Sequence, residues 1–229
     1  MEVVKQQMEA QKRLAAERAA GLVRSGMMVG LGTGTTAHYF IDALAQRVRE
    51  GLAIQAVVTS IDTRQRAQQG GIPVVDDLET ELDLAVDGAD EIDPVLNCIK
   101  GRGGALLREK IVAHASRRFI LIADESKLVE RLGRVPVPIE ILPFLWQATK
   151  RSVDSLGGRP ELRMLSGGEP FLTDNQNYVL DTAFSRVDEE LAATLRTIPG
   201  VLEHGMFLGM ATGALIGLAD GQVRAMGEV

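Results

Sequence analysis

Asp87, Asp90, Lys100 and Glu109 fall within 23 residues of one another, with the glycine loop Lys100-Gly101-Arg102-Gly103-Gly104 between the acids and the glutamate. A base, a cation and groups that handle hydroxyl protons are what proton transfer beside a carbonyl requires. Taken singly, each has a plainer reading. Asp87, Asp90, Glu91 and Asp93 could form a solvated acidic turn, and a lone glutamate on a helix is usually a surface residue. Glu109 neighbours Ala105 one turn back, so it faces either the glycine loop or solvent. A calcium loop beginning at Asp87 is ruled out, because its sixth and twelfth positions are Ile92 and Cys98 rather than Gly and Glu. The conjunction of these groups favours chemistry.

A second glycine segment, Gly30-Leu31-Gly32-Thr33-Gly34-Thr35-Thr36, has the form of an anion cradle. Small residues let backbone N–H groups approach an anion, a following helix adds its dipole, and the threonines offer hydroxyls. The dinucleotide fingerprint fails, because Thr35 stands where its third glycine belongs and no acid ends the next strand at Val58-Thr59-Ser60. The phosphate loop of nucleotide hydrolases fails for want of a lysine. A tight turn with threonine as a helix cap is the alternative.

These segments need elements that bring them together. An amphipathic helix is predicted over 5–24, then short apolar runs at 27–32, 53–58, 72–75, 83–87 and 119–123 alternate with helices over 35–50, 61–70 and 104–116. Such alternation predicts a mostly parallel sheet covered on both faces, an α/β fold of Rossmann-like design. Both glycine segments and the acids then lie at strand ends, the functional edge of such sheets. The pattern changes near Pro136. A strand at 136–143, a helix at 144–156, strand-like pieces through 161–182 and a helix at 188–198 predict a compact α+β lobe over 132–204. The segment 206–226 is expected to rejoin the first sheet, giving a main domain of 1–131 plus 205–229.

The chain has 229 residues, 45% apolar, and a net charge of −6. A basic stripe of the kind that binds nucleic acid is not visible. Cys98 is the only cysteine, so an intrachain disulfide is excluded and a reducing, cytoplasmic setting is expected. The first residues mix acids and bases without the apolar run of a signal peptide. The longest uncharged stretch, Gly205–Ala219, has 15 residues and is too short to cross a bilayer. His38, His114 and His204 are scattered and read as structural, and Trp146 as packing.

Five motifs together carry a family resemblance. They are Gly30 to Ala37, Asp87-Gly88-Ala89-Asp90-Glu91, Lys100 to Lys110, Ile122-Ala123-Asp124-Glu125-Ser126-Lys127 and Val201 to Phe207. In this order they resemble ribose-5-phosphate isomerase A over nearly the whole chain, from about Lys12 onward. The resemblance implies a Rossmann-like domain with a ferredoxin-like lobe, and a homodimer or homotetramer that needs neither cofactor nor metal. It implies interconversion of ribose 5-phosphate and ribulose 5-phosphate through a cis-enediolate, in the pentose phosphate pathway and the Calvin cycle. Carried over by position, Thr33, Gly34, Thr35 and Thr36 would hold the phosphate with Lys12. Asp87, Gly88, Ala89, Asp90, Lys100, Gly101, Arg102 and Gly103 would hold the sugar, and Lys127 would touch the substrate. Glu109 would be the proton acceptor, Asp87 would move the ring-opening proton, Asp90 would orient hydroxyls or share the proton relay, and Lys100 with the loop N–H groups would stabilise the oxyanion. Two positions depart from the best-known bacterial members: Arg102 replaces a glycine, and Thr212 stands where many carry Asp. A sugar-phosphate sensor or a related sugar-phosphate isomerase or deaminase are the competing readings.

Overall fold

A computed structural model describes residues 2–229. Its central sheet has six strands, in the spatial order Val223–Gly227 (β13), Gly213–Gly217 (β12), Phe119–Asp124 (β6), Leu84–Gly88 (β3), Met28–Leu31 (β1) and Gln55–Val58 (β2). The strands β1, β2, β3, β6 and β12 run parallel, and β13 closes one edge antiparallel. β6 and β12 are buried along their whole length, as continuous apolar runs such as Phe119-Ile120-Leu121-Ile122-Ala123 require when helices cover both faces. One face packs against α1 (Glu2–Ala20) and α2 (Thr35–Arg49), where Ala15, Ala16, Ala19, Phe40, Ile41 and Leu44 are buried. The other packs against α4 (Leu106–His114) and Phe207. α3 (Ile61–Gln69) links β2 to the segment before β3.

From β1 the chain steps to β2 on one side, and the later strands build outward on the other, from β3 to β6 to β12. The direction of winding therefore reverses between β1 and β3. The crevice outside their carboxyl ends is where open α/β sheets take ligands.

Residues 137–204 build a second sheet, order β10-β7-β9-β8, from β7 (Val137–Ile141), β8 (Arg159–Leu162), β9 (Tyr178–Ala183) and β10 (Val201–His204). All its pairings are antiparallel. With α5 (Trp146–Asp154) after β7 and α6 (Glu189–Arg196) after β9, the chain order is the strand–helix–strand–strand–helix–strand expected of the lobe. Trp146 packs edge-on to Tyr178 with ring centroids 6.2 Å apart.

The structure departs from the sequence expectations in three places. The run at 72–75 is not a strand: it makes one parallel bridge, Ala56 to Val74, because Pro73 has no N–H to extend a ladder. The first helix stops at Ala20, ahead of Gly21. A third sheet, order β11-β5-β4, was not foreseen. Its strands β4 (Glu91–Ile92), β5 (Cys98–Ile99) and β11 (Met206–Phe207) are two residues each, too short to show a period.

Candidate active site

Asp87 is the next-to-last residue of β3, and the reason it fits there lies just after β1. A Cβ at Gly32 would overlap the Asp87 carboxyl group, so only glycine leaves room for it. Asp87 Oδ1 accepts the N–H groups of Gly88 at 2.7 Å and Thr33 at 3.1 Å. Its other oxygen lies 3.0 Å from Lys100 Nζ. Lys100 follows β5 directly and is held by backbone, with its N–H donating to Gly205 O at 2.8 Å. Its ammonium also donates to Gly88 O at 2.6 Å and lies 3.4 Å from Glu109 Oε2. Asp87, Lys100 and Glu109 are all buried, so one cation sits between two carboxylates in a poorly solvated pocket.

Burial sets the electrostatics. It pushes the Glu109 carboxyl up to about 8, helped by the negative charge of Asp87 and opposed by Lys100. Asp87 is likewise raised by burial, against the pull of Lys100 and the two backbone donors. Burial works against the charge of Lys100, but the two carboxylates outweigh it and hold the ammonium charged well above its ordinary range. Glu109 Oε2 has no hydrogen-bond donor among the described residues. A base with one free oxygen and a pKa near neutrality is suited to take a proton from carbon.

Lys100 and Glu109 face a cavity of about 350 Å³; Asp87 lies behind them, outside its lining. Its wall includes Gly88, Ala89, Asp90, Gly101, Arg102 and Gly103 with Lys100 and Glu109. Asp90 Oδ2 accepts the Arg102 N–H at 3.1 Å, tying the acidic turn to the glycine loop. The cavity is also lined by Lys12, Thr33, Gly34, Thr35, Thr36 and Lys127. α2 begins there at Thr35 and has no side-chain cap; Gly34, at φ 101°, occupies the cap position. By contrast, the side chains of Ser60 and Asp188 cap α3 and α6. The first N–H groups of α2 therefore lie open toward the cavity, as an anion site requires. Lys12 Nζ reaches Thr35 Oγ1 at 3.3 Å and pairs with Glu9 at 2.7 Å. Its neighbour Arg13 instead stacks on Tyr39, 4.8 Å from the ring centroid, which fixes which of the two faces the cavity. Lys127 belongs to a short 3-10 helix, Glu125–Lys127, after β6.

Several residues have other work than the sequence suggested. Thr33 lines the cavity, yet its hydroxyl bonds to Thr59 at 2.7 Å and Ser60 at 2.9 Å, and its N–H serves Asp87. The open donors are thus those of Thr35 and Thr36. Glu91 is fully buried away from the cavity and accepts the N–H groups of Gly133 at 2.8 Å and Val135 at 2.7 Å. Asp93 closes its own turn by accepting from Val95 and Asn97. Thr212 Oγ1 donates to Phe119 O at 3.2 Å. His204 is buried against Ala192 O, and His38 pairs with Asp62. Among the described residues no group of three or more His, Cys, Asp or Glu side chains could hold a metal ion, and no helix is long and apolar enough to cross a membrane.

Known proteins match this chain over most of its length. The family model described as ribose 5-phosphate isomerase A (phosphoriboisomerase A) matches residues 55–221. A ribose-5-phosphate isomerase A of Bacillus mycoides is 50% identical over 214 residues, covering 92% of this chain and 96% of its own. One of Sphingopyxis alaskensis is 48% identical over 223 residues, covering 96% and 97%. The solved ribose 5-phosphate isomerase of Plasmodium falciparum superposes with a TM-score of 0.92 at 38% identity, covering 96% of this chain and 99% of that one. The chain belongs to the ribose 5-phosphate isomerase A family.

Proposed function

We infer that the chain interconverts D-ribose 5-phosphate and D-ribulose 5-phosphate through a cis-enediolate, with Glu109 as the proton carrier. One observation carries this: a buried glutamate with an unbonded oxygen and a raised pKa shares a cavity with the uncapped N-terminus of α2. The separation of a base from an anion cradle within one small hollow suits a sugar phosphate.

The phosphate would lie on the N–H groups of Thr35 and Thr36, with Lys12 and Lys127 supplying positive charge. Asp87 would carry the anomeric hydroxyl proton to the ring oxygen and so open the ring. Glu109 would then take the C2 proton. The C–H electron pair forms the C1–C2 double bond, and the carbonyl π pair moves onto O1, which Lys100 faces. Transfer of the O2 proton to O1, with Asp90 orienting the hydroxyls, prepares the second half. Glu109 returns its proton to C1, and the O2 electron pair forms the ketone. A positioned base contributes on the order of 10²- to 10⁴-fold to such steps, and an oxyanion donor about 10²- to 10³-fold.

We also propose that residues 132–204 act as a lobe distinct from 1–131 plus 205–229, and that the protein works in the cytoplasm as a homodimer or homotetramer in pentose phosphate conversion. The return of the chain from β10 in the lobe sheet to β11 beside Lys100, through Gly205 alone, supports the boundary. The direct test of the activity is conversion of ribose 5-phosphate by the purified chain, followed by appearance of the ketose. A folded protein that leaves ribose 5-phosphate unchanged while isomerising or deaminating another sugar phosphate would replace this reading.

A further inference from the structure

The loop that carries Gly101 to Gly104 is gripped from the lobe by one side chain. Arg163, just after β8, donates from Nη1 to two successive carbonyls, Gly101 O and Arg102 O, each at 3.1 Å. Its remaining edge pairs bidentately with Asp181 on β9, Nε to Oδ2 at 2.8 Å and Nη2 to Oδ1 at 2.5 Å. The guanidinium lies 5.5 Å from the centroid of Phe171. Phe171 in turn packs on the loop at Gly104, where a Cβ would come 2.5 Å from the ring. The backbone of Phe171 donates to Arg163 O at 2.9 Å, so ring and guanidinium form one unit.

The consequence follows from peptide geometry. The peptides are trans, so each carbonyl points opposite to the N–H of its own plane. Arg163 draws the Gly101 carbonyl toward the lobe, and the N–H sharing that plane, on Arg102, points at Asp90 Oδ2. It draws the Arg102 carbonyl the same way, which turns the Gly103 N–H away from the lobe. Gly103 lines the sugar cavity beside Lys100 and Glu109, and its N–H has no acceptor among the described residues. The Gly101–Arg102 plane is also held by the Gly104 N–H on Gly101 O at 2.9 Å and by Asp90. The Arg102–Gly103 plane has no hydrogen bond but the clamp among the described residues, and its glycine lets it rotate at little cost.

We propose that Arg163 is a positioning residue for the isomerisation, which fixes the Arg102 and Gly103 peptide planes so that the Gly103 N–H meets the enediolate oxygen. The proposal rests on the isomerase reading given above. A planar fork is essential to it. A lysine ammonium has the charge but cannot hold Asp181 in two places and two carbonyls at once.

The test uses the full chain with Arg163→Lys, Arg163→Gln and Asp181→Asn. Because the donor acts on charge that develops during reaction, kcat for ribose 5-phosphate should fall about 10- to 100-fold in both Arg163 variants, with KM within about threefold. Inhibition by inorganic phosphate should be unchanged, since the α2 cradle is untouched. Asp181→Asn should move kcat in the same direction by less. Arg163 also borders a second hollow of about 360 Å³, so millimolar guanidinium should restore part of the activity of Arg163→Gln. Amide hydrogen exchange at residues 101–104 should quicken in every variant, and this reads the clamp whether or not the parent isomerises ribose 5-phosphate. Parent activity decides the isomerase reading separately. Folded Arg163→Lys with kcat within twofold of the parent, or unchanged exchange in the loop, would overturn the proposal. If the Arg163 variants fail to fold, Asp181→Asn with parental kcat and parental exchange does so.

Discussion

Lys100 Nζ lies 3.4 Å from Glu109 Oε2, and the two do not form a hydrogen bond. The cation is near enough to steady a carboxylate, and the oxygen stays free for a substrate proton. Asp87 lies nearer the same ammonium, at 3.0 Å. Burial and the charge of Asp87 raise the pKa of Glu109, and they outweigh the lowering by Lys100.

The pH profile should show this. For the free enzyme, kcat/KM reports the base. Its acid limb is expected near pH 8, where the Glu109 carboxyl is held, and not near the ordinary 4.5. Asp87→Asn should lower the rate and also move the limb to lower pH, because it removes the like charge while Lys100 remains. A profile that is flat from pH 5 to 9 would show that Glu109 is not the titrating base.

Glu109→Gln should keep the fold and the affinity for substrate yet lose about 10²- to 10⁴-fold in kcat, with solvent deuterium exchange at C2 falling in parallel. Stability should move the other way. A carboxyl whose folded pKa lies above its unfolded value supports the fold while protonated; that support is complete below about pH 4.5 and is lost as pH rises through about 8. At pH 9 the amide should therefore melt above the parent by roughly 2–4 °C, the shift that about 1 kcal/mol makes in a chain of this size. At pH 4.5 the two should melt together. A variant that melts well below the parent at pH 9 would contradict the stored cost at this position.

The threonines of the first glycine segment should divide into two kinds. Thr36→Val and Lys12→Ala should each raise KM about 10- to 100-fold, since a hydrogen bond to a charged group is worth roughly 1.5–3 kcal/mol. Thr33→Val should instead lower the melting temperature, because its hydroxyl serves Thr59 and Ser60 inside the protein. Steady-state kinetics and thermal melts on the three variants separate the cases. Equal effects of Thr33→Val and Thr36→Val on KM would put the Thr33 hydroxyl on the phosphate after all.

Much of this site is legible in sequence because strands buried on both faces leave unbroken apolar runs, and the chemistry sits where those runs stop. Val86-Asp87 and Leu31-Gly32 show the edge directly, and the lobe shows itself through prolines and a change of pattern. What sequence hides is pairing at long range. Lys100 is placed by Gly205, more than a hundred residues away, through a sheet whose strands are too short to announce themselves. Glu91 looks like a member of the acidic cluster, yet its side chain holds the backbone at Gly133 and Val135. Arg163 has no local motif at all, and its role follows only from two carbonyls 61 and 62 residues earlier.

Gly32 and Asp87 offer the sharpest test of how the site is built. The obstacle to a side chain at Gly32 is the Asp87 carboxyl itself. Gly32→Ala should displace that carboxyl from the Thr33 and Gly88 N–H groups and from Lys100, and should lower kcat by about as much as Asp87→Ala does. If that is its only effect, the two changes are not independent, since removing the carboxyl makes room for the methyl group. In an Asp87→Ala background, Gly32→Ala should then cost less than about twofold, a strong coupling for residues in contact. Melting temperatures should follow the same pattern, with the double variant no worse than Gly32→Ala alone. Effects of the two changes that simply multiply would mean that Gly32 matters for some reason other than the place it leaves for Asp87.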